Sequence, residues 1–229
     1  CMSAPSVPAA GNTEVGDVTA APERSIVSEQ ESLAPEELSG IDRVLADRRR
    51  SDFPELETDP VGFTVTEQVR ISGDAHARYD RAAGLLEQQR FDEAIELLAQ
   101  LTLDVPQLTA PHVDLGIAYG YVGNLEAAAS ALETAALLSP DHPIVRNELG
   151  IVYRRSGRFA EARTEYEKAL EVFSDVHFAW RNLAVLCDLY LADAECALQN
   201  YRLYLDSVGE DPEVDIWIAD LASRLGQNP

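Results

Sequence analysis

The chain has 229 residues, 46% of them hydrophobic, and a formal net charge of -22. The length accommodates one or two domains, and the apolar share is that of an ordinary globular protein. Residues 1–74 carry 15 acids against 6 bases and the remainder 25 against 12, so both parts repel polyanions, which disfavours nucleic acid and anionic lipid as direct partners of the folded surface.

No stretch approaches the roughly 20 apolar residues of a transmembrane helix. Residues 1–33 are rich in Ala, Pro, Ser, Gly, Thr, Val and Glu, with no periodicity and no aromatic residue. Such a segment buries too little apolar surface to offset chain entropy, and is expected to be a disordered tether. A flexible chain of that length spans roughly 30 Å. The numbering begins at Cys1, followed by Met2, Ser3, Ala4 and Pro5. This start resembles a mature bacterial lipoprotein, whose signal peptide is cut just before a lipidated cysteine. The resemblance implies acylation (palmitate) at Cys1, with the membrane touched through that anchor alone. The absence of aspartate after the cysteine implies outer-membrane sorting, facing the periplasm. With Cys1 set aside, Cys187 and Cys196 remain. They stand at the end of one expected helix and the start of the next, within reach of a disulfide in an oxidising compartment. Two buried free thiols are the alternative.

Residues 34–50 read as a short helix. Pro35 suits a first turn, Glu36 and Glu37 its positive end, and Arg48, Arg49 and Arg50 its negative end. Leu38, Ile41, Val44 and Leu45 form a narrow apolar stripe that must pack on this chain or on a partner. In residues 61–71 apolar and polar residues alternate, with Phe63, Val65, Val69 and Ile71 on one face, and one extended strand is expected. No second strand follows it, so its edges need cover. It can lie along the first helices or add to a partner's sheet.

From residue 75 a 34-residue beat sets in. Ala94, Ala128 and Ala162 are evenly spaced, as are Pro106 and Pro140. Leu115-Gly116-x-x-Tyr119 precedes Ala128, and Leu149-Gly150-x-x-Tyr153 precedes Ala162. Leu98, Leu132 and Tyr166 follow four residues after the alanines. This period marks a helix-turn-helix solenoid. Four repeats are expected, at about 75–108, 109–142, 143–176 and 177–211, with turns at Gly123-Asn124 and Gly157-Arg158. Ala197 comes 35 residues after Ala162, which puts one inserted residue within Tyr190 to Asp193. A last helix at about 212–225, with Val214, Ile216, Trp217, Ile218, Leu221 and Leu225, is expected to cap the stack. The fold class is thus all-α, with an extended N-terminal region.

These motifs resemble the tetratricopeptide repeat (TPR) family over about 150 of the 229 residues. The third repeat matches best, through Leu149, Gly150, Tyr153, Gly157, Phe159, Ala162, Tyr166 and Ala169. Gly150 and Ala162 are small so that paired helices approach closely, and the tyrosines fill the space between repeats. The first and fourth repeats depart from the pattern, with Ala82 for the first glycine and Cys187 for the last tyrosine. With its tether, the whole chain is similar to the accessory TPR lipoproteins of Gram-negative envelope machines: pilus and secretin assembly factors, and companions of TonB-type energy transducers.

The family resemblance implies a groove lined by the first helix of each repeat. Its positions here are His76, Tyr79, Ala83 and Leu86; Ala110, Val113, Ile117 and Gly120; Ile144, Asn147, Ile151 and Arg154; and Phe178, Arg181, Val185 and Asp188. Such a groove suits an extended peptide or helix with apolar anchors and an acidic group facing Arg154 and Arg181. Asn147 and Arg181 match in part the residues with which some relatives clamp a C-terminal carboxylate. The alternatives are a solvated groove, a groove filled by residues 34–71, or arginines paired internally, for example with Asp188. The four histidines, His76, His112, His142 and His177, show no metal-ligand spacing. No phosphate loop or flanked nucleophile occurs. The expectation is therefore a non-enzymatic scaffold without cofactor, metal or small-molecule substrate. It binds an envelope protein as an adaptor, or is a permanent structural subunit whose N-terminal segment wraps its neighbours.

Overall fold

The computed structural model describes residues 55–59, 62–67, 69 and 71–227, all within the compact unit Pro35–Pro229. The tether expected at 1–33 and the helix expected at 34–50 lie outside the described residues.

Two short strands come first, β1 (Glu55–Asp59) and β2 (Gly62–Thr66). They pair antiparallel, with Leu56 opposite Val65 and Thr58 opposite Phe63. This corrects the expectation of one lone strand over 61–71. The partner precedes it, in Glu-Leu-Glu-Thr-Asp, whose single apolar residue hides the strand period. Beyond β2, Val69 and Ile71 pack against the core of the first repeat.

Nine helices follow among the described residues: α1 (Gly73–Glu87), α2 (Phe91–Asp104), α3 (Thr109–Tyr121), α4 (Leu125–Leu138), α5 (Pro143–Arg155), α6 (Phe159–Val172), α7 (His177–Leu189), α8 (Ala194–Val208) and α9 (Pro212–Arg224). Five of them start for evident local reasons. Ser72, Asn124, Asp193 and Asp211 accept backbone N–H bonds at helix starts, and Pro143 and Pro212 occupy first turns where no donor is needed. The turns within the second and third repeats hold Gly123 at φ 82° and Gly157 at φ 76°. That left-handed conformation is open to glycine without a Cβ penalty. In the fourth repeat Ala192 takes it at φ 52°. There α7 and α8 are joined by residues 190–193, one more than the 156–158 that join α5 and α6. This is the expected insertion.

Every helix packs on its chain neighbour, and α1, α3, α5 and α7 also touch in sequence to form an inner layer. The core is a seam of small and large side chains in two clusters, with Ala94 and Leu98 in the first and Ala128, Ala162 and Ala197 beside Leu132, Tyr166 and Tyr201 in the second, all fully buried. The close approach is strictest at Gly150, where an added Cβ would collide with the Tyr166 ring. A Cβ added at Gly116 would likewise lie 2.5 Å from the Cγ of Leu132. Arg146 ties two repeats together, donating to the Pro140 carbonyl at 2.8 Å and to Glu165 at 2.9 Å. Lys168 completes this network from the next turn of α6.

Candidate functional site

The inner layer is a set of parallel first helices, so one register governs how neighbours meet. Tyr79 of α1 donates its hydroxyl to Asp114 of α3 at 2.8 Å. Asn182 of α7 donates to the side-chain carbonyl of Asn147 of α5 at 2.9 Å. Both pairs are 35 residues apart, one more than the repeat. Arg155 Nη1 likewise reaches back 35 residues to the Gly120 carbonyl at 2.7 Å.

Ten of the expected groove residues divide into three groups. Val113 and Asn147 are buried in the seam between helices. Tyr79, Leu86, Ile117, Ile151 and Phe178 are half-buried, with apolar faces packed against the core. Arg154, Arg181 and Asp188 are held by partners within the chain. Arg154 stands 3.4 Å from the hydroxyls of both Tyr166 and Tyr190, and over the Tyr190 ring. Arg181 lies over Trp217 of α9, 5.4 Å from the ring centre, with Glu213 at 3.5 Å. Its Nε is buried without a hydrogen-bond acceptor among the described residues. The face of the indole attracts the cation in place of one. Asp188 pairs with Arg224 of α9 at 3.0 Å rather than with Arg181. The cap helix therefore takes up the charges at that end of the groove.

Three inner-layer residues escaped the sequence reading: Asp114, Glu148 and Asn182. With Asp80 they recur every 34 residues. That period was the available signal, overlooked because each directly follows a position already assigned. Burial pushes the Asp114 carboxyl up, against the opposing effect of the Tyr79 hydrogen bond. Glu148 is raised further, to about 7, by desolvation, with one opposing hydrogen bond from Asn147 at 3.1 Å. It keeps partial exposure at the surface of the inner layer.

The N-terminal segment reaches the inner layer at the start of α3. Glu67 accepts the Thr109 backbone N–H at 3.1 and 3.2 Å. It supplies the carboxylate that the start of α3 lacks, since Leu108 stands at its N-cap. Glu67 also acts electrostatically on Tyr79, whose phenol is pushed up chiefly by burial and then by Asp114. At the far end, Cys187 of α7 and Cys196 of α8 are joined in a disulfide, their Cα atoms 5.8 Å apart.

His112 is buried, with Nε2 3.1 Å from the Pro106 carbonyl, and burial lowers its pKa. Among the described residues no group of three His, Cys, Asp or Glu could hold a metal ion, and no helix is long and apolar enough to cross a membrane.

Compared with known proteins, residues 75–100 and 113–187 match models of the tetratricopeptide repeat. The CDC16 subunit of the anaphase-promoting complex of Saccharomyces cerevisiae is 26% identical over 129 residues, 54% of this chain, but the match spans only 15% of that protein. Among solved structures, MamA from Desulfovibrio magneticus superposes with a TM-score of 0.62 at 16% identity, over 69% of this chain and 88% of the other. A TPR protein of Thermus thermophilus gives 0.57 at 23% identity, over 66% and 82%. These likenesses establish the fold, which is a protein-interaction scaffold type. The chain carries tetratricopeptide repeats, stacked as a TPR solenoid.

Proposed function

We propose that this chain is an adaptor that holds a segment of another protein along its inner layer. The observation that carries the reading is the row of half-buried apolar side chains Ala83, Ile117, Ile151 and Val185, one from each first helix and each 34 residues from the next. A row at solenoid spacing suits the alternate anchors of an extended peptide or the stripe of a helix. A photo-crosslinking residue at Ile151 tests it. Adducts with one partner are expected from Ile151 and not from Glu167, which is exposed on α6. Equal labelling from both positions would overturn the reading.

The finer part of the same proposal is a place in a bacterial envelope, at the outer membrane facing the periplasm, with a lipid on Cys1 as anchor. It is supported by the lipoprotein resemblance set out above and by the Cys187–Cys196 disulfide, a bond that persists in oxidising compartments. Produced behind a lipoprotein export signal, the Cys1→Ser variant is expected to remain an uncleaved, unacylated precursor. Normal processing with membrane fractionation as before would remove the anchor from the proposal.

A further inference from the structure

The register of the inner layer sets a residue of each first helix against the one 35 positions on. In the first pairing the Tyr79 hydroxyl satisfies Asp114. In the third, the Asn182 amide donates to the side-chain carbonyl of Asn147. The same register sets Val113 against Glu148, and valine has no donor. Glu148 is thus the odd member of the series. Among the described residues it receives one hydrogen bond, from the Asn147 amide next to it, and no ion pair. A carboxylate withdrawn from water needs a cation or several donors. The bases on its own helix are engaged elsewhere: Arg146 by Glu165 and the Pro140 carbonyl, Arg154 by the two tyrosines, Arg155 by the Gly120 carbonyl. Tyr166 senses the Glu148 charge but makes its hydrogen bond with Arg154. About one helical turn further along the same two helices, Ile151 on α5 and Ile117 on α3 are apolar and half-buried.

We propose that Glu148 receives a lysine or arginine side chain of the bound segment, whose methylene stem lies on Ile117 and Ile151. This rests on the adaptor reading above and names the chemistry of the partner: a basic residue flanked by apolar ones. It differs from the sequence expectation of an acidic ligand group facing Arg154 and Arg181, both of which have partners within the chain. Long basic side chains suit the site, since their stems bury on apolar surface while the head meets the charge. The charge of -22 adds long-range attraction for such a segment.

The test uses the full chain and three short fluorescein-labelled amphipathic peptides, built from leucine and polar neutral residues, with lysine, glutamine or glutamate at the centre. Fluorescence anisotropy at pH 8 is expected to rank lysine tightest. Glu148→Gln should weaken the lysine peptide about tenfold and leave the glutamine peptide unchanged. Glu126→Gln, which removes an exposed charge on α4, should change neither. Val113→Thr offers Glu148 a hydroxyl at constant net charge and should weaken the lysine peptide too. Equal losses from Glu148→Gln and Glu126→Gln would reduce the effect to diffuse attraction and overturn the inference. Equal binding of the lysine and glutamine peptides, both weakened by Ile151→Glu, would overturn it while leaving the adaptor reading intact. Failure of all three peptides to bind would remove both.

Discussion

Arg181 of α7 lies over the indole of Trp217 of α9, with Glu213 one turn earlier on the same helix. The cap is therefore more than an apolar lid. It contributes a π face and a carboxylate to a cation that would otherwise stand at the open end of the inner layer. Trp217 also packs on the fully buried Tyr201, their ring centres 5.3 Å apart.

Trp217→Ala removes both contacts, and a loss of about 3 kcal/mol is expected. Hydrogen exchange should rise in α7 to α9 and stay unchanged in α1 to α4, because repeats contact only their neighbours. Uniform loss of protection along the chain would contradict this local role.

Gly150→Ala and Gly84→Ala separate packing from helix propensity. At Gly150 a methyl meets the Tyr166 ring, and overpacking of this kind costs about 1–3 kcal/mol. At Gly84 nothing lies within 4 Å, so alanine is expected to stabilise α1 by about 0.5–1 kcal/mol. Thermal melts should move in opposite directions. A shift of the same sign for both would mean that the close approach at Gly150 is misplaced.

Glu148, raised to about 7, gives stability a definite pH dependence. The folded state holds this proton more tightly than the unfolded chain does. The charged form is therefore the penalised one. Its cost is absent below the ordinary carboxylate range, grows between about 4.5 and 7, and is complete above 7. Glu148→Gln should be more stable than the natural chain at pH 8, by about 1–3 kcal/mol, and equal to it at pH 4. Taking the difference between the two proteins removes the contributions of Asp114, also raised, and of His112, lowered. Chemical denaturation at the two pH values decides it, and a difference independent of pH would sink the assignment.

The disulfide closes a short loop, with Cys187 and Cys196 nine residues apart. Its reduction is expected to cost about 2–3 kcal/mol through the entropy regained by the unfolded chain. Cys187→Ala/Cys196→Ala should melt lower and be insensitive to reductant. A natural chain whose melting point ignores reductant would show that the bond contributes nothing.

The helices and turns were legible in the sequence because their causes are local. A 34-residue period, glycines at the turns and alanines at the contacts recur within each repeat, and the four repeats and the cap appear where those signals put them. The insertion after α7 was legible for the same reason, as one extra residue in the beat. Strand β1 was not, because its alternation is weak and only pairing with β2 orders it.

The partners of the groove side chains were a different matter. The family pattern gave Arg154, Arg181 and Asp188 as groove residues, yet nothing in the chain near Arg181 says that Trp217 will lie beneath it. Those meetings follow from how one repeat rotates onto the next, which converts the 34-residue period of the chain into a 35-residue offset between touching side chains. That rotation comes from packing along the whole seam and is written in no single repeat. It makes Asp114 and Asn182 satisfied members of pairs, and it leaves Glu148, an ordinary glutamate in the sequence, as a half-buried carboxylate whose counterpart in the same register is a valine.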